Sequence, residues 1–289
     1  MSATPDYFPR RSVLYLPASN ARAIEKARGL QADAIIIDLE DSVAPDAKDA
    51  ARDAAVAAVV EGGFAAREVA IRANGLDTQW GEEDMAAIAR SGVDAALVPK
   101  VSTPDDISRY DAALANASDG MQLWAMIETC RAVANLDALA AMAESTRLSA
   151  WVLGLNDLAK EMRAQATPER TAFQPILSLA VCAARAHGVT IIDGVCNEFR
   201  DLDLFKAEAE QGALFGFDGK SLIHPAQIEV CNEVFSPSAD DLVWAEAVVA
   251  AFALPENAGK GVIQVEGRMA ELLHLEQSRR TLAMANLKD

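Results

Sequence analysis

Residues 149–162 read SAWVLGLNDLAKEM, and the stretch changes character halfway along. A short apolar run gives way to Gly154, then to Asn156 and Asp157, then to a segment with helical periodicity. A run so uniformly apolar is unsuited to a half-exposed antiparallel strand, which would alternate. It reads instead as a strand buried on both faces, with a carboxylate where the strand emerges.

The same pattern recurs along the chain, in VLYLPA (13–18), AIIIDLED (34–41), VAIRANG (69–75), AALVPKV (95–101), LWAMIET (123–129), AWVLGLND (150–157), TIIDGVC (190–196) and LFGFDGK (214–220). Between these runs lie helical segments such as RAIEKARGLQ, EEDMAAIARSG and DLFKAEAEQG, often ending in Gly. Strand and helix in alternation imply an α/β protein with a parallel sheet. Eight units imply a closed (β/α)8 TIM barrel more than an open doubly wound sheet, and no GxGxxG follows a strand as a Rossmann unit requires. The barrel is expected to occupy residues 1–236. Residues 237–289 form a helical extension or lid that packs on the barrel or on a neighbouring subunit. In it Trp244, Val248 and Phe252 recur at helical spacing, and RMAELLHLEQSRRTLAMA reads as the last helix.

About half of the 289 residues are apolar, and 43 acids against 26 bases give a net charge of −17. That balance argues against nucleic acid or an anionic membrane as partner, but leaves room for a small anionic ligand held by a few local cations. No apolar stretch is long enough to cross a bilayer, and the N-terminal residues carry no secretory pattern, so a cytoplasmic protein is expected. Cys130, Cys182, Cys196 and Cys231 show neither CxxC spacing nor a nearby His cluster, and read as buried, reduced thiols.

In such a barrel the active site lies at the C-terminal ends of the strands, which turns the strand exits into a search list. They carry Asp38, Glu40 and Asp41, then Arg72 and Asn74, Lys100, Glu128, Asn156 and Asp157, Asp193, and finally Asp218, Lys220 and His224. Charges there are costly unless paired or solvated. Glu128 and Asp157 close neighbouring strands, so they could share one ion, with waters and substrate oxygens completing the shell as Mg²⁺ prefers. The competing reading makes Asp157 a helix N-cap and pairs Glu128 with Arg72 or Arg131. Arg72 could donate to a carboxylate or developing enolate, or form a salt bridge in the barrel mouth. Lys100 reads as an ion-pair partner rather than a Schiff-base lysine. His187 and His274 sit in helical segments, which leaves His224 as the histidine placed to touch substrate.

Taken in order, RSVLYLPASNARAIEKA, DLEDSVAPDAKDAAR, IRANGLDTQWGEEDM, LVPKV, MIETCRAVANLDALA, GLNDLAKEM and GFDGKSLIHPAQIEVCNEVFSP resemble the citrate lyase β-subunit-like enzymes of the HpcH/HpaI aldolase superfamily. That family includes malyl-CoA and β-methylmalyl-CoA lyases and malyl-CoA thioesterases. The resemblance implies a Mg²⁺-dependent barrel, with Mn²⁺ as an alternative ion, acting on CoA thioesters of short hydroxy acids as a homo-oligomer, a trimer or hexamer. It implies cleavage of a malyl-CoA-like thioester into acetyl-CoA and a 2-oxo acid such as glyoxylate. The alternatives are hydrolysis of the thioester, or action within a complex on an acyl-carrier-protein thioester. Carried over by position, it makes Glu128 and Asp157 the metal ligands, with Glu40 and Asp41 supporting the metal's water shell. It puts Arg72 on the substrate oxygens and the backbone of Asn156 and Asp157 on the substrate carboxylate. Tyr15, Asn20 and Lys26 fall along the CoA channel, with Ile223 and His224 beside the thioester. The catalytic set is Arg72, Asp41 and Glu271, the last supplied by an adjacent subunit. Relatives commonly read G-x-M-x-D at that point, whereas this chain reads GRMAE.

Overall fold

The computed structural model describes residues 9–285, which fall into two compact units, one running from Arg10 to Glu233 and the other built from Val234 onward. In the first, eight parallel strands close into a barrel in sequence order: β1 (Ser12–Pro17), β2 (Ala34–Asp38), β3 (Glu68–Arg72), β4 (Ala95–Val98), β5 (Gln122–Ile127), β6 (Leu148–Leu153), β7 (Thr190–Asp193) and β8 (Gly219–Leu222). The helices are α1 (Ala21–Ala27), α2 (Lys48–Glu61), α3 (Gly81–Ser91), α4 (Pro104–Ala113), α5 (Cys130–Ala134), α6 (Leu136–Ala141), α7 (Leu155–Met162), α8 (Gln174–Ala186) and α9 (Leu202–Phe215) between the strands, with α10 (Ile228–Val234) after β8. β1 pairs with β8, Val13 beside Ser221, so the sheet has no edge. The fold expected from the eight apolar runs is the fold observed.

Inward-facing residues Val13, Ile36, Ala70, Leu97, Trp124, Val152 and Ile192 pack with Tyr15 as one apolar cluster, so the barrel is filled rather than hollow. Its floor is polar and saturated. Arg10 donates to Glu68 at 2.6 and 2.8 Å, to Gln122 at 3.0 Å and to Thr190 at 3.0 Å, with its guanidinium 5.1 Å from the Trp124 ring. Ser149 closes the network on Gln122 at 2.5 Å. These residues sit at the starts of their strands, so the network seals the N-terminal end.

Two boundaries differ from the sequence reading. LFGFDGK was read as the eighth strand, but Leu214 and Phe215 end α9, and Gly216 takes the left-handed cap at φ +96°. The strand is Gly219–Leu222, which puts Asp218 at its entry, held by Arg185 at 2.8 and 2.9 Å, rather than at an exit. The thiols also divide: all four are free, but only Cys196 and Cys231 are buried, and Cys182 is exposed.

The second unit contains α11 (Ala239–Ala253), a hairpin of β9 (Val262–Val265) and β10 (Arg268–Glu271), and α12 (Leu272–Ala285). The hairpin corrects the expectation of one helix through RMAELLHL. Glu266 and Gly267 both adopt positive φ, +47° and +80°, the two-residue turn that matches strand twist. Val248, Ile263, Val265 and Ala270 form the small core, with Trp244 and Phe252 packed against it. Among the described residues no helix is long and apolar enough to cross a membrane.

Candidate active site

Strand alternation delivers the charged side chains to the barrel mouth. Ala34 and Ile36 point inward on β2, and Asp38 continues that parity. Ala70 leads to Arg72 on β3, Trp124 and Met126 to Glu128 beyond β5, and Ala150 and Val152 to Gly154 beyond β6. The site is therefore the uppermost layer of the barrel interior. It opens into a cavity of about 370 Å³ lined by Tyr15, Asp38, Asp41, Arg72, Met126, Glu128, Asn156, Asp157, Ser221 and Ile223 among others.

Arg72 is fixed from below by Asp38, which takes Nε at 2.6 Å and Nη2 at 2.7 Å. Its Nη1 faces Glu40 at 2.9 Å and Asp41 at 3.4 Å, and its guanidinium lies 5.1 Å from the Tyr15 ring. Burial opposes the charge on Asp38, but Arg72 and hydrogen bonds from Ser42 outweigh it and hold the carboxyl below its usual range. Arg72 is thus a preorganised cation whose fork is already largely engaged, rather than a free one. Asp38 stands among the strand-exit charges in the sequence but receives no role there, although its parity with Ile36 marks it as inward-facing. Tyr15 donates to Met126 Sδ at 3.2 Å, and burial keeps its hydroxyl protonated.

Glu128 is buried and accepts the Lys100 backbone N–H at 2.8 Å. Burial pushes its carboxyl up to about 7, with the Lys100 charge acting against that rise. Burial also raises Glu40, whose Oε2 is paired with Arg72 but has no aligned hydrogen-bond donor. Gly154 makes room for Glu128: a Cβ there would collide with Glu128 Oε2 and Cβ, so the close approach requires glycine. The Lys100 ammonium lies 2.6 Å from Asp157, 3.4 Å from Glu40 and 3.9 Å from Glu128. The cation beside Glu128 is therefore neither Arg72 nor Arg131. Nor is Asp157 an N-cap, since Gly154 occupies that position on α7.

Five carboxylates (Asp38, Glu40, Asp41, Glu128, Asp157) meet two cations, Arg72 and Lys100, around this mouth. The surplus of negative charge, with two buried carboxyls titrating high, fits an additional cation. An ammonium already occupies the space shared by Glu128 and Asp157, which demonstrates that their oxygens converge on a positive charge. Among the described residues no three His, Cys, Asp or Glu side chains form a metal cage. The donor set is instead two or three carboxylates with open positions, which suits Mg²⁺ better than Zn²⁺, whose sites favour His and Cys.

The first helical bond of α7 runs from the Leu158 N–H to the Gly154 carbonyl, so the preceding N–H groups lie outside the helical ladder at a positive helix end. Asn156 exchanges side-chain hydrogen bonds with Asn197 at 3.1 and 2.8 Å. Other expected residues lie apart from the cavity lining. Asn20 caps α1 by accepting the Ala23 N–H, and Lys26 is exposed on the last turn of that helix. His224 stacks on Phe199 at 5.0 Å and accepts the Ala226 N–H. Glu271 ends β10 in the second unit, its backbone N–H donating to His274 Nδ1 at 3.0 Å.

Residues 11–225 match the HpcH/HpaI aldolase/citrate lyase family. The chain is similar to a (3S)-malyl-CoA thioesterase of Cereibacter sphaeroides, with 48% identity over 277 residues, covering 96% of this chain and 95% of that protein. It is 32% identical over 285 residues to the citrate lyase subunit beta of Escherichia coli K12, covering 96% and 94%. Among solved structures it resembles protein CitE from Mycobacterium tuberculosis in complex with magnesium, acetoacetate and coenzyme A. The TM-score is 0.77 at 26% identity, covering 96% of this chain and 98% of that one.

Proposed function

Because the chain belongs to the HpcH/HpaI aldolase/citrate lyase family, a family of enzymes, we propose that it hydrolyses a malyl-CoA-like thioester to the free hydroxy acid and CoA. The observation that carries this reading is the 48% identity to a (3S)-malyl-CoA thioesterase over 96% of the chain. Sequence alone favoured carbon–carbon cleavage first and hydrolysis second; the similarity supports the reverse order.

Glu128 and Asp157 would hold Mg²⁺, with Glu40 and Asp41 ordering its water. Bound there, the ion would supply positive charge to polarise a carbonyl and neutralise developing anion. The N–H groups at the start of α7 receive the substrate carboxylate, which fixes the acyl chain in the mouth. Arg72, immobilised by Asp38, presents its remaining N–H edge to negative charge as water adds to the thioester carbonyl and the C–S bond breaks. The departing thiolate takes a proton, and malate and free thiol result. Glu271, from a neighbouring copy in a homo-oligomer, exchanges that proton, with Asp41 at the cavity wall. Tyr15, Ile223 and His224 border the thioester arm, and Asn20 and Lys26 face the CoA phosphates further out.

The lyase reading shares every group and differs in the bond broken: the substrate hydroxyl is deprotonated, the carbon–carbon bond breaks, the resulting enolate carbon takes a proton, and acetyl-CoA leaves with glyoxylate. The 32% identity to a citrate lyase subunit favours it. Purified protein given malyl-CoA and Mg²⁺ separates the two by free thiol and glyoxylate assayed together. Thiol without glyoxylate, abolished by EDTA, is the expected result. Glyoxylate in amounts equal to the substrate consumed would overturn hydrolysis.

A further inference from the structure

Lys100 follows Pro99 with φ at +54°, a left-handed conformation that L-residues avoid unless the surroundings demand it. Two interactions follow from that turn. The backbone N–H reaches Glu128 Oε1 at 2.8 Å, and the side chain folds back so that Nζ meets Asp157 at 2.6 Å, Glu40 at 3.4 Å and Glu128 at 3.9 Å. The ammonium thereby occupies the space between the two carboxylates assigned above to the divalent ion. Two cations cannot share those oxygens without strong repulsion, so metal and ammonium exclude each other.

We propose that Lys100 is the internal counter-ion of this site: its ammonium holds Glu40, Glu128 and Asp157 together before metal loading, and leaves as Mg²⁺ enters. The inference rests on the metal reading above. The side chain is about half exposed, at 50%, so it has a path to solvent, while the backbone bond to Glu128 can persist through the exchange. The ammonium makes one short contact, to Asp157 at 2.6 Å, and stays 3.4 Å from Glu40 Oε1 and 3.9 Å from Glu128, so it satisfies the cluster incompletely. A hydrated divalent ion has more donors to offer it. Burial works against the ammonium, but the surrounding carboxylates hold it protonated well above the ordinary lysine range.

Two measurements test the exchange. In calorimetric titration with MgCl₂, Lys100→Met should bind roughly two- to fivefold more tightly than wild type, the factor released when a half-exposed ion pair no longer has to be broken. Glu128→Ala should not bind. In wild-type protein, acetylation at pH 8 read by peptide mass spectrometry should rise severalfold at Lys100 on adding Mg²⁺, with exposed Lys160 and Lys206 unchanged as internal standards. Mg²⁺ binding with Lys100 labelling unchanged, or weaker binding by Lys100→Met, overturns the proposal. Absence of Mg²⁺ binding by wild type and Lys100→Met alike overturns the metal reading and this inference with it. Labelling uses only the wild type, so it decides even if the variant fails to fold.

Discussion

Gly154→Ala tests whether the mouth of the barrel works because one strand exit is empty. An added Cβ would sit about 2.5 Å from Glu128 Cβ, closer still to Glu128 Oε2, and 3.1 Å from Met126 Cε. Carbon–carbon contacts settle near 3.5–4.0 Å, so the overlap with Glu128 Cβ is roughly 1 Å. Met126 Cε is the end of a flexible chain and can yield. Glu128 Cβ is fixed to the backbone just past β5 and cannot move without carrying the carboxylate with it. Overpacking of this kind costs about 1–3 kcal/mol, which lowers Tm by roughly 2–12 °C at about 2–4 °C per kcal/mol. The functional loss should be larger, because Mg²⁺ tolerates little departure from octahedral geometry and a shift of about 1 Å in a catalytic group costs on the order of 10²-fold. Thermal unfolding, MgCl₂ calorimetry and steady-state kinetics on the same preparation measure all three, with Gly29→Ala, which meets nothing within 4 Å, as control. A Gly154→Ala protein with Mg²⁺ affinity and kcat/KM within twofold of wild type would refute the argument.

Asp38→Ala leaves the Arg72 guanidinium buried with its bidentate partner gone, and should cost about 3–5 kcal/mol in denaturant unfolding. Asp38→Asn should restore much of that stability yet leave kcat depressed; equal kinetics in wild type and Asp38→Asn would remove Asp38 as the group that positions Arg72. Asp193 is fully buried, and although burial resists its ionisation, Lys220 and Arg170 hold its carboxyl below the usual range. Its contribution to stability is then complete above the unfolded-state pKa of about 3.9 and is lost as pH falls through that value towards the native one. Asp193→Asn should flatten the stability–pH curve on that acid limb, and a slope identical to wild type would contradict the assignment. Glu271→Gln should lower kcat by about 10²-fold or more while Mg²⁺ affinity stays within about threefold, and undiminished turnover would take Glu271 out of the proton path.

The barrel was readable because most of its strands carry apolar residues on both faces, a pattern unsuited to surface strands. The eighth escaped because Gly219–Leu222 contains Lys220 and Ser221, polar residues made tolerable by Asp193 and the Gly194 carbonyl in three dimensions. The apolar pair just before it, Leu214 and Phe215, belongs to a helix end and drew the boundary forward. Arg268–Glu271 was hidden for a different reason: Met, Ala and Glu favour helix, and only the Glu266–Gly267 turn imposes the hairpin. In the site, Arg72, Glu128 and Asp157 were legible as charges at strand exits. The position of Lys100 was not, because three carboxylates distant in sequence draw its side chain inward, and local propensity carries no trace of that field.

The sealed floor built around Arg10 imposes an order on molecular traffic. A barrel blocked beneath and open above admits and releases ligands through one door, so what enters deepest leaves last. On the proposed chemistry the hydroxy acid lies under the pantetheine arm, and CoA must depart before the acid can. Free hydroxy acid then meets the empty enzyme and competes with the thioester, whereas CoA meets an enzyme still holding its other product. Inhibition by malate should therefore be competitive, and inhibition by CoA should not.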